Sequence, residues 1–379
     1  MTPAPPSHPT GGTLTARPDG TTLAPARATD PQDMMGAILG LPEQCSAAKT
    51  IGSTADLAAA ERKRFDSLVV AGLGGSAIGG DLLRACYQPM LRCPVEVVRD
   101  YHLPAYVGPD TLVFAASNSG NTEETLSSYD QARRAGATII AFTTGGELAK
   151  RAARDGVPTV TFPGGLQPRA SLGYGFIPLI VACARLGLIP SPLVDDIDEA
   201  VATMRGVRDR CNPDAPGDEN ASRSLAAAWR GKLPVIYGSQ GERGVAAYRW
   251  KTQINENAKA YAISNVFPEL NHNETVGWSG AHGQGNPEKV LRVCILRDDR
   301  EPAHIKRRVE LTKKIISEHV EGIDEVWATG ESTLARMMSL IYVGDFASCY
   351  LAYAYGEDPT PVKVIDWLKS ELAKPYFAS

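Results

Sequence analysis

The chain has 379 residues, 43% hydrophobic and 22% charged, enough apolar material for sizeable cores and a length that favours two domains. Its formal net charge of -4 excludes a global basic field for nucleic acid, so an anionic ligand would need a local site. Seven cysteines without a CxxC pair point to reduced thiols and a cytoplasmic setting rather than a disulfide framework. No apolar run reaches about 18 residues, so no membrane span is expected, and the N-terminus lacks the apolar stretch of a secretory signal.

Residues 1–30 carry six prolines among Gly, Thr and Ala and read as a disordered extension. From there short β-rich runs alternate with helical patterns. Strands are expected at 67–71, 95–98, 111–116, 137–142 and 159–162. Helices are expected at 77–87, 121–135, 146–154 and 172–186. This alternation argues for a parallel sheet covered by helices. A polar helix at 194–210 leads into the Pro/Asp/Gly cluster at 212–218, which marks the boundary between a first domain at 31–211 and a second at 212–379. The second half repeats the rhythm. Strands are expected at 233–237, 260–264, 290–296 and 325–328, and helices at 242–257, 302–319, 332–355 and 361–373. A long irregular loop is expected at 265–287.

The first strand runs into Gly72-Leu73-Gly74-Gly75-Ser76-Ala77. Glycines there let backbone amides approach an anion, and the following helix N-terminus favours negative charge. The same residues satisfy a GxGxxG/A dinucleotide pattern, with Glu96 or Asp100 following. A second strand ends in Ser117-Asn118-Ser119-Gly120-Asn121-Thr122. Ser117, Ser119 and Thr122 can face one anion together, which suits a phosphomonoester with three oxygens to saturate. Helix capping by Ser119 or Asn121, with Glu123 or Glu124 favouring the dipole, would need only one such group.

The pair Gly-Gly-Ser and Ser-x-Ser-Gly-x-Thr at successive strand ends resembles the sugar-isomerase (SIS) domain family. Two second-half stretches, Arg249-Trp250-Lys251-Thr252-Gln253-Ile254-Asn255-Glu256-Asn257-Ala258-Lys259 and Pro268-Glu269-Leu270-Asn271-His272-Asn273-Glu274, resemble the bifunctional phosphoglucose/phosphomannose isomerase branch. The resemblance covers about residues 35 to 375. It implies two tandem SIS domains, each a parallel β-sheet flanked by helices, in a homodimer with active sites at the interface. It implies phosphate binding by Gly75, Ser76, Ser117, Ser119 and Thr122. It implies a catalytic base at Glu256, a ring-opening His272 donated by the partner subunit, an arginine at Arg169, and a lysine in the last helix at Lys369 or Lys363. The implied reaction interconverts glucose 6-phosphate or mannose 6-phosphate with fructose 6-phosphate, without metal or cofactor.

These residue types suit that chemistry. A 1,2-isomerisation needs an acid/base for the ring oxygen, a base at carbon and a cation for the enediolate. Imidazole, carboxylate and guanidinium supply them in turn. On a helix from Glu242, Ala247, Trp250 and Ile254 form an apolar stripe while Arg249, Gln253 and Glu256 share a polar flank; an exposed salt-bridged face would look the same. Asn271, Asn273 and Glu274 crowd polar partners around His272, whereas His282 reads as a plain loop residue. Two other function classes stand beside the isomerase: a non-catalytic sugar-phosphate-binding regulator, and a nicotinamide oxidoreductase using the Gly72–Ala77 pattern. No appended helix-turn-helix supports the first, and the second hydroxyl-rich loop counts against the second. Amino-sugar phosphates remain open as substrates, although no glutamine-amidotransferase segment is apparent.

Overall fold

The computed structural model describes residues 29–217, 219–278, 290–372 and 374. The expected extension at 1–30 lies almost wholly outside them, as does His282. Helices are α1 Met34–Leu39, α2 Leu41–Thr54, α3 Ala58–Glu61, α4 Gly75–Tyr87, α5 Glu123–Arg134, α6 Gly146–Asp155 and α7 Leu172–Arg185. They continue with α8 Asp196–Cys211, α9 Ala221–Trp229, α10 Glu242–Ala258, α11 Glu274–Gly277, α12 Ala303–Ile316, α13 Thr333–Tyr355 and α14 Lys363–Leu372. Strands β1 Ser67–Ala71, β2 Val95–Val98, β3 Thr111–Ser117, β4 Thr138–Thr143 and β5 Thr159–Thr161 form one sheet in the order β2-β1-β3-β4-β5. Strands β6 Leu233–Ser239, β7 Ile263–Phe267, β8 Leu291–Arg297 and β9 Gly322–Trp327 form a second, ordered β7-β6-β8-β9. Every pairing is parallel.

The sequence pattern explains these sheets. Every residue of β3 is buried, as expected of a central parallel strand covered on both faces, and its apolar run needs no alternation. Two expected strands are shifted: β9 covers 322–327, not 325–328, and β7 covers 263–267, not 260–264. Lys259 takes a left-handed conformation (φ 54°) as the C-cap of α10, so the chain is still turning where the strand was expected. The expected irregular loop at 265–287 accordingly begins with the end of β7, then a 3-10 turn at Glu269–His272 and the short α11. Helices α1–α3 and α9 were not anticipated.

The two units are joined by helices. Helix α13 has buried residues on all sides, the signature of a helix inside a core. It packs on α10, α8 and α9. The Trp250 indole donates to Leu340 O at 2.9 Å, and Ser222 Oγ donates to Val343 O. Helices α4 and α10 lie antiparallel. The start of α4, at Gly75, abuts the Pro168–Arg169 backbone, which reaches the end of α10. The C-terminal half of α4, at Arg84 and Gln88, shares a cleft with Gly241 and Val245 at the start of α10. The strand-end loops of the first sheet therefore meet the C-terminus of α10.

The α10–α13 seam generates two stability predictions. A Cβ at Gly344 would lie 2.2 Å from the buried Trp250 Nε1. Gly344→Ala should lower stability by about 1–3 kcal/mol through overpacking, although helix propensity alone favours alanine by about 1 kcal/mol; a raised melting temperature would show that the seam yields. Asp345 is buried and accepts from Arg249 Nη2 at 2.7 Å and Gln253 Nε2 at 3.0 Å. Arg249→Met strands that carboxylate and should cost about 3–5 kcal/mol in denaturant unfolding, most of it recovered by adding Asp345→Leu. Equal losses in the single and double variants would show that the pair is not coupled.

Candidate active site

Two glycine-rich turns bring the first set of residues together. Gly72 leaves β1 so close to β3 that a Cβ would lie 2.8 Å from Ala116 O. Gly74 adopts φ 52°, a left-handed geometry suited to glycine, and α4 starts at Gly75 without a side-chain cap. Ser76 N and Ala77 N donate back to Leu73 O at 3.0 and 3.4 Å, and the helix start carries the partial positive charge that favours an anion. The second turn leaves β3 and starts α5 at Thr122, again without a side-chain cap.

The turns touch one another. Asn118 N donates to Ser76 Oγ at 3.1 Å. Ser117 Oγ accepts from Gly120 N at 3.1 Å and lies 2.9 Å from Thr122 Oγ1. Ser119 is exposed, and its Oγ accepts from Asn121 N. Ser76, buried Ser117 and Thr122 are thus joined with Asn118 and Gly120 in one hydrogen-bonded rim, which Gly75 adjoins in the chain and beside which Ser119 bonds only to Asn121. Neither expected cap residue caps α5. Thr122 holds that position, while Asn121 Oδ1 accepts from Glu147 N at 3.0 Å and so caps α6 instead. Gly120 (φ 69°) is needed at the crossing, where a Cβ would meet Gly145 O at 1.9 Å.

A short relay ties this rim to Arg169. Asn118 Nδ2 donates to Ser171 Oγ at 2.7 Å, and Ser171 Oγ donates to Pro168 O at 3.1 Å. Arg169 sits in the 3-10 turn Pro168–Ala170 and is only 3% exposed, not the exposed helix-start arginine that position suggests. Its Nε donates to Asn257 Oδ1 at 2.6 Å, and its Nη2 to Pro359 O and Thr360 O, both at 2.7 Å. Its Nη1 donates to Glu256 Oε2 at 3.3 Å, the longest of these bonds. Burial pulls this guanidinium below its usual value and Glu256 opposes the shift; an arginine remains cationic under such shifts.

Glu256 occupies the last turn of α10, with a side chain 33% exposed. Its Oε1 makes no hydrogen bond among the described residues. The polar flank of α10 is not a solvated face: Arg249 and Gln253 are buried against Asp345 of α13, and Arg249 Nη2 also donates to Arg169 O at 2.9 Å. Burial pushes the Asp345 carboxyl up, and the Arg249 guanidinium opposes it. Asn257 Nδ2 donates to Ser348 Oγ at 2.9 Å.

Two candidates stand apart from this cluster within the chain. His272 is exposed and follows β7 at the C-terminal edge of the second sheet. Glu256 lies at the opposite edge, where β7 has yet to begin; the 14 residues of α10 between Glu242 and Glu256 span about 21 Å at 1.5 Å per residue. The polar neighbours of His272 turn away from it. Asn271 Nδ2 donates to Thr312 Oγ1, Asn273 Nδ2 to Glu269 Oε1, and Glu274 accepts from Tyr237 and Asn265. Lys369 and Lys363 are exposed on α14, which has no buried residue.

Residues that sequence reasoning missed include Asn118, Asn257, Lys259 and Asp345. Asn118 and Asn257 adjoin residues that were singled out. Asp345 had one signal, a lone acid within the apolar run of α13. Lys259, whose Nζ donates to Asn257 O at 3.1 Å and to Asp358 O, closes the stretch Arg249–Lys259 but carried no signal beyond that place. Among the described residues no group of three His, Cys, Asp or Glu could hold a metal ion.

Residues 63–155 match the SIS domain, and residues 218–372 match the bacterial phospho-glucose isomerase C-terminal SIS domain. The chain is 46% identical over 344 residues to a bifunctional phosphoglucose/phosphomannose isomerase of Caldicellulosiruptor bescii, covering 90% of this chain and 99% of that one. It is 39% identical to the protein of the same description from Thermoplasma acidophilum, covering 82% and 90%. A solved hypothetical protein from Thermus thermophilus shares the fold with a TM-score of 0.67 at 17% identity, covering 92% of each chain. Two parallel-sheet SIS units and long second-half matches place the chain in the bifunctional phosphoglucose/phosphomannose isomerase family.

Proposed function

We propose that the protein isomerises glucose 6-phosphate and mannose 6-phosphate to and from fructose 6-phosphate. The observation that carries this reading is the placement of Glu256, 3.3 Å from a buried arginine, beside two interlinked amide- and hydroxyl-rich turns. A phosphomonoester held by Gly75, Ser76, Ser117, Ser119 and Thr122 leaves its sugar directed toward Arg169 and Glu256. The same turns offer an anion site without the base needed for turnover, but a pure sensor would have no use for a carboxylate poised there.

In the aldose-to-ketose direction, His272 takes the anomeric hydroxyl proton and delivers a proton to ring oxygen O5 as the C1–O5 bond breaks. Glu256 removes the C2 proton to give an enediolate and returns a proton to C1, while the proton on O2 passes to O1. Arg169 orients the carboxylate and stabilises the enediolate charge. The enediol has no stereocentre at C2, so glucose and mannose phosphates share one intermediate.

We also propose a homodimer with shared sites. Glu256 and His272 lie at opposite edges of the second sheet, so a complete site takes His272 from the partner subunit. Helix α14 supports a second copy: Val364 is 77% and Trp367 62% exposed, a solvent cost that association would relieve. The substrate is a small sugar phosphate, with no nucleic acid or membrane involved. Among the described residues no helix is long and apolar enough to cross a membrane. All seven cysteines are free and buried, which supports the cytoplasmic reading.

Pure protein should convert fructose 6-phosphate to both aldose phosphates; binding without turnover would favour the sensor. Glu256→Gln should keep phosphate-ester binding and lose proton exchange at C1 and C2 by about 10²–10⁴-fold; retained exchange would remove Glu256 as the base. Glu256→Gln and His272→Asn subunits, each inactive, should regain about a quarter of wild-type activity when mixed and reassembled, because half the dimers carry one intact site. No recovery would sink the shared site.

A further inference from the structure

We propose that Tyr237 and Asn265 are positioning residues for His272: together they grip the carboxylate of Glu274 and so fix the turn from which the imidazole projects. This rests on the reading of His272 as the ring-opening group. Tyr237 and Asn265 are register partners on the neighbouring parallel strands β6 and β7, so their side chains leave the same face of the sheet. Tyr237 hydroxyl donates to Glu274 Oε1 and Asn265 Nδ2 to Oε2. One carboxylate therefore closes a bridge across two strands from above, and His272 lies two residues upstream of it.

The donor side of this bridge is built to be permanent. Tyr237 is fully buried and packs edge-on against Phe267 at 5.9 Å. Burial and then Glu274 push its hydroxyl far above the usual phenol value, so it stays a donor throughout any working pH. The other side of His272 is fixed as well. Asn271 Nδ2 donates to Thr312 Oγ1 at 2.8 Å and to Thr275 Oγ1 at 3.2 Å, and Thr312 is buried on α12. The backbone on both sides of His272 is thus tied to buried scaffold. The imidazole itself is exposed and makes no hydrogen bond among the described residues.

Anchoring a plain connector this way would be wasteful. A carboxylate brought to the edge of an apolar cluster loses hydration, and an apolar contact would hold a loop at lower cost. A two-pronged carboxylate clamp adds direction, which a group delivered across a subunit boundary requires. A displacement of about 1 Å in an acid/base can cost about 100-fold in rate. In ring opening the imidazole must reach both the anomeric hydroxyl and O5, whereas the later proton transfer between carbons belongs to Glu256.

That division of labour gives the test. Fructose 6-phosphate must open by breaking C2–O5. Its 5-deoxy analogue lacks O5, and O6 carries the phosphate, so it stays open-chain and needs no ring opening. Tyr237→Phe and Asn265→Ala should each lower kcat/KM on fructose 6-phosphate by about 10–100-fold, with little change in KM. Deuterium exchange at C1 of 5-deoxyfructose 6-phosphate should stay within about twofold of wild type, since the base is untouched. Equal losses on both substrates, or no loss on fructose 6-phosphate, would overturn the positioning role. If Tyr237→Phe fails to fold, Asn265→Ala carries the same comparison. His272→Asn on the two substrates tests the underlying reading separately: equal loss on both would remove His272 as ring opener, whatever the other variants show.

Discussion

A buried guanidinium that crosses from one sheet unit to the other is the constraint on which the site depends. Arg169 belongs to the loop after β5, yet its Nε, Nη1 and Nη2 donate to Asn257, Glu256 and the carbonyls of Pro359 and Thr360. Burying an arginine is unfavourable unless its donors are satisfied. Here the partners come from α10 and from the turn between α13 and α14, so the charge is solvated only when both halves of the chain are docked. The bond to Glu256 is the one that reaches a partly exposed side chain, and the other oxygen of that carboxylate has no hydrogen bond among the described residues. A structural tie and the proposed base thus share one cation.

The support beneath this pair is layered in the same way. Arg249 holds the Arg169 carbonyl while pairing with Asp345, and Gln253 occupies the second Asp345 oxygen. Asn257 bridges Arg169 to Ser348. Each of these groups lies in or beside the α10–α13 seam, where Trp250 closes on Gly344. Tight packing there limits the positions α10 can take, and with them the position of Glu256 relative to the strand-end turns. The Lys259 contact with Asp358 O pins the turn that also binds Arg169, so the base of α14 is coupled to the same cation.

Much of the fold was legible because buried parallel strands write themselves as apolar runs: β1 was read at its observed limits, and β3 was one residue short. The displaced β7 shows where that signal fails, since the apolar run Ala260-Tyr261-Ala262 follows a left-handed Lys259 and precedes the strand. Helices α1–α3 were obscure because their Ala, Gly and Met residues carry little periodicity. At the site, the hydroxyl cluster was legible as residue types in a motif, and Arg169 and Glu256 were legible singly through the family resemblance, but not their contact. Their burial was not legible either, because Arg249 and Gln253 have the spacing of an exposed flank, and only the lone Asp345 within α13 hinted at a buried counter-charge. The polar residues around His272 were read as partners of the imidazole. In the structure they anchor its backbone instead, a distinction that depends on the facing strands and on α12.

The second sheet uses its corresponding strand-end turn differently from the first. The β6–α10 turn, Gly238-Ser239-Gln240-Gly241, occupies the place that Gly72–Ser76 occupies in the first unit, and α10 likewise starts without a side-chain cap. Its hydroxyl, however, is already engaged: Ser239 Oγ accepts from Arg243 Nε at 2.6 Å. Arg243 is buried, and a Cβ at Gly238 would lie 2.2 Å from Arg243 O. The guanidinium in turn meets Glu242 at 2.8 Å, Asp298 at 3.4 Å and Glu301 at 3.7 Å. Burial alone would raise the Asp298 carboxyl, but hydrogen bonds from Arg336 and the Arg300 amide hold it below the usual carboxylate range. Carboxylates paired with arginines therefore occupy the space beside this turn. The hydroxyls of the first unit are hydrogen-bonded too, but to backbone amides and to one another, with no charged side chain bonded to them among the described residues; the second unit commits its turn to internal charge pairing and carries Glu256 at the far end of the helix that the turn begins.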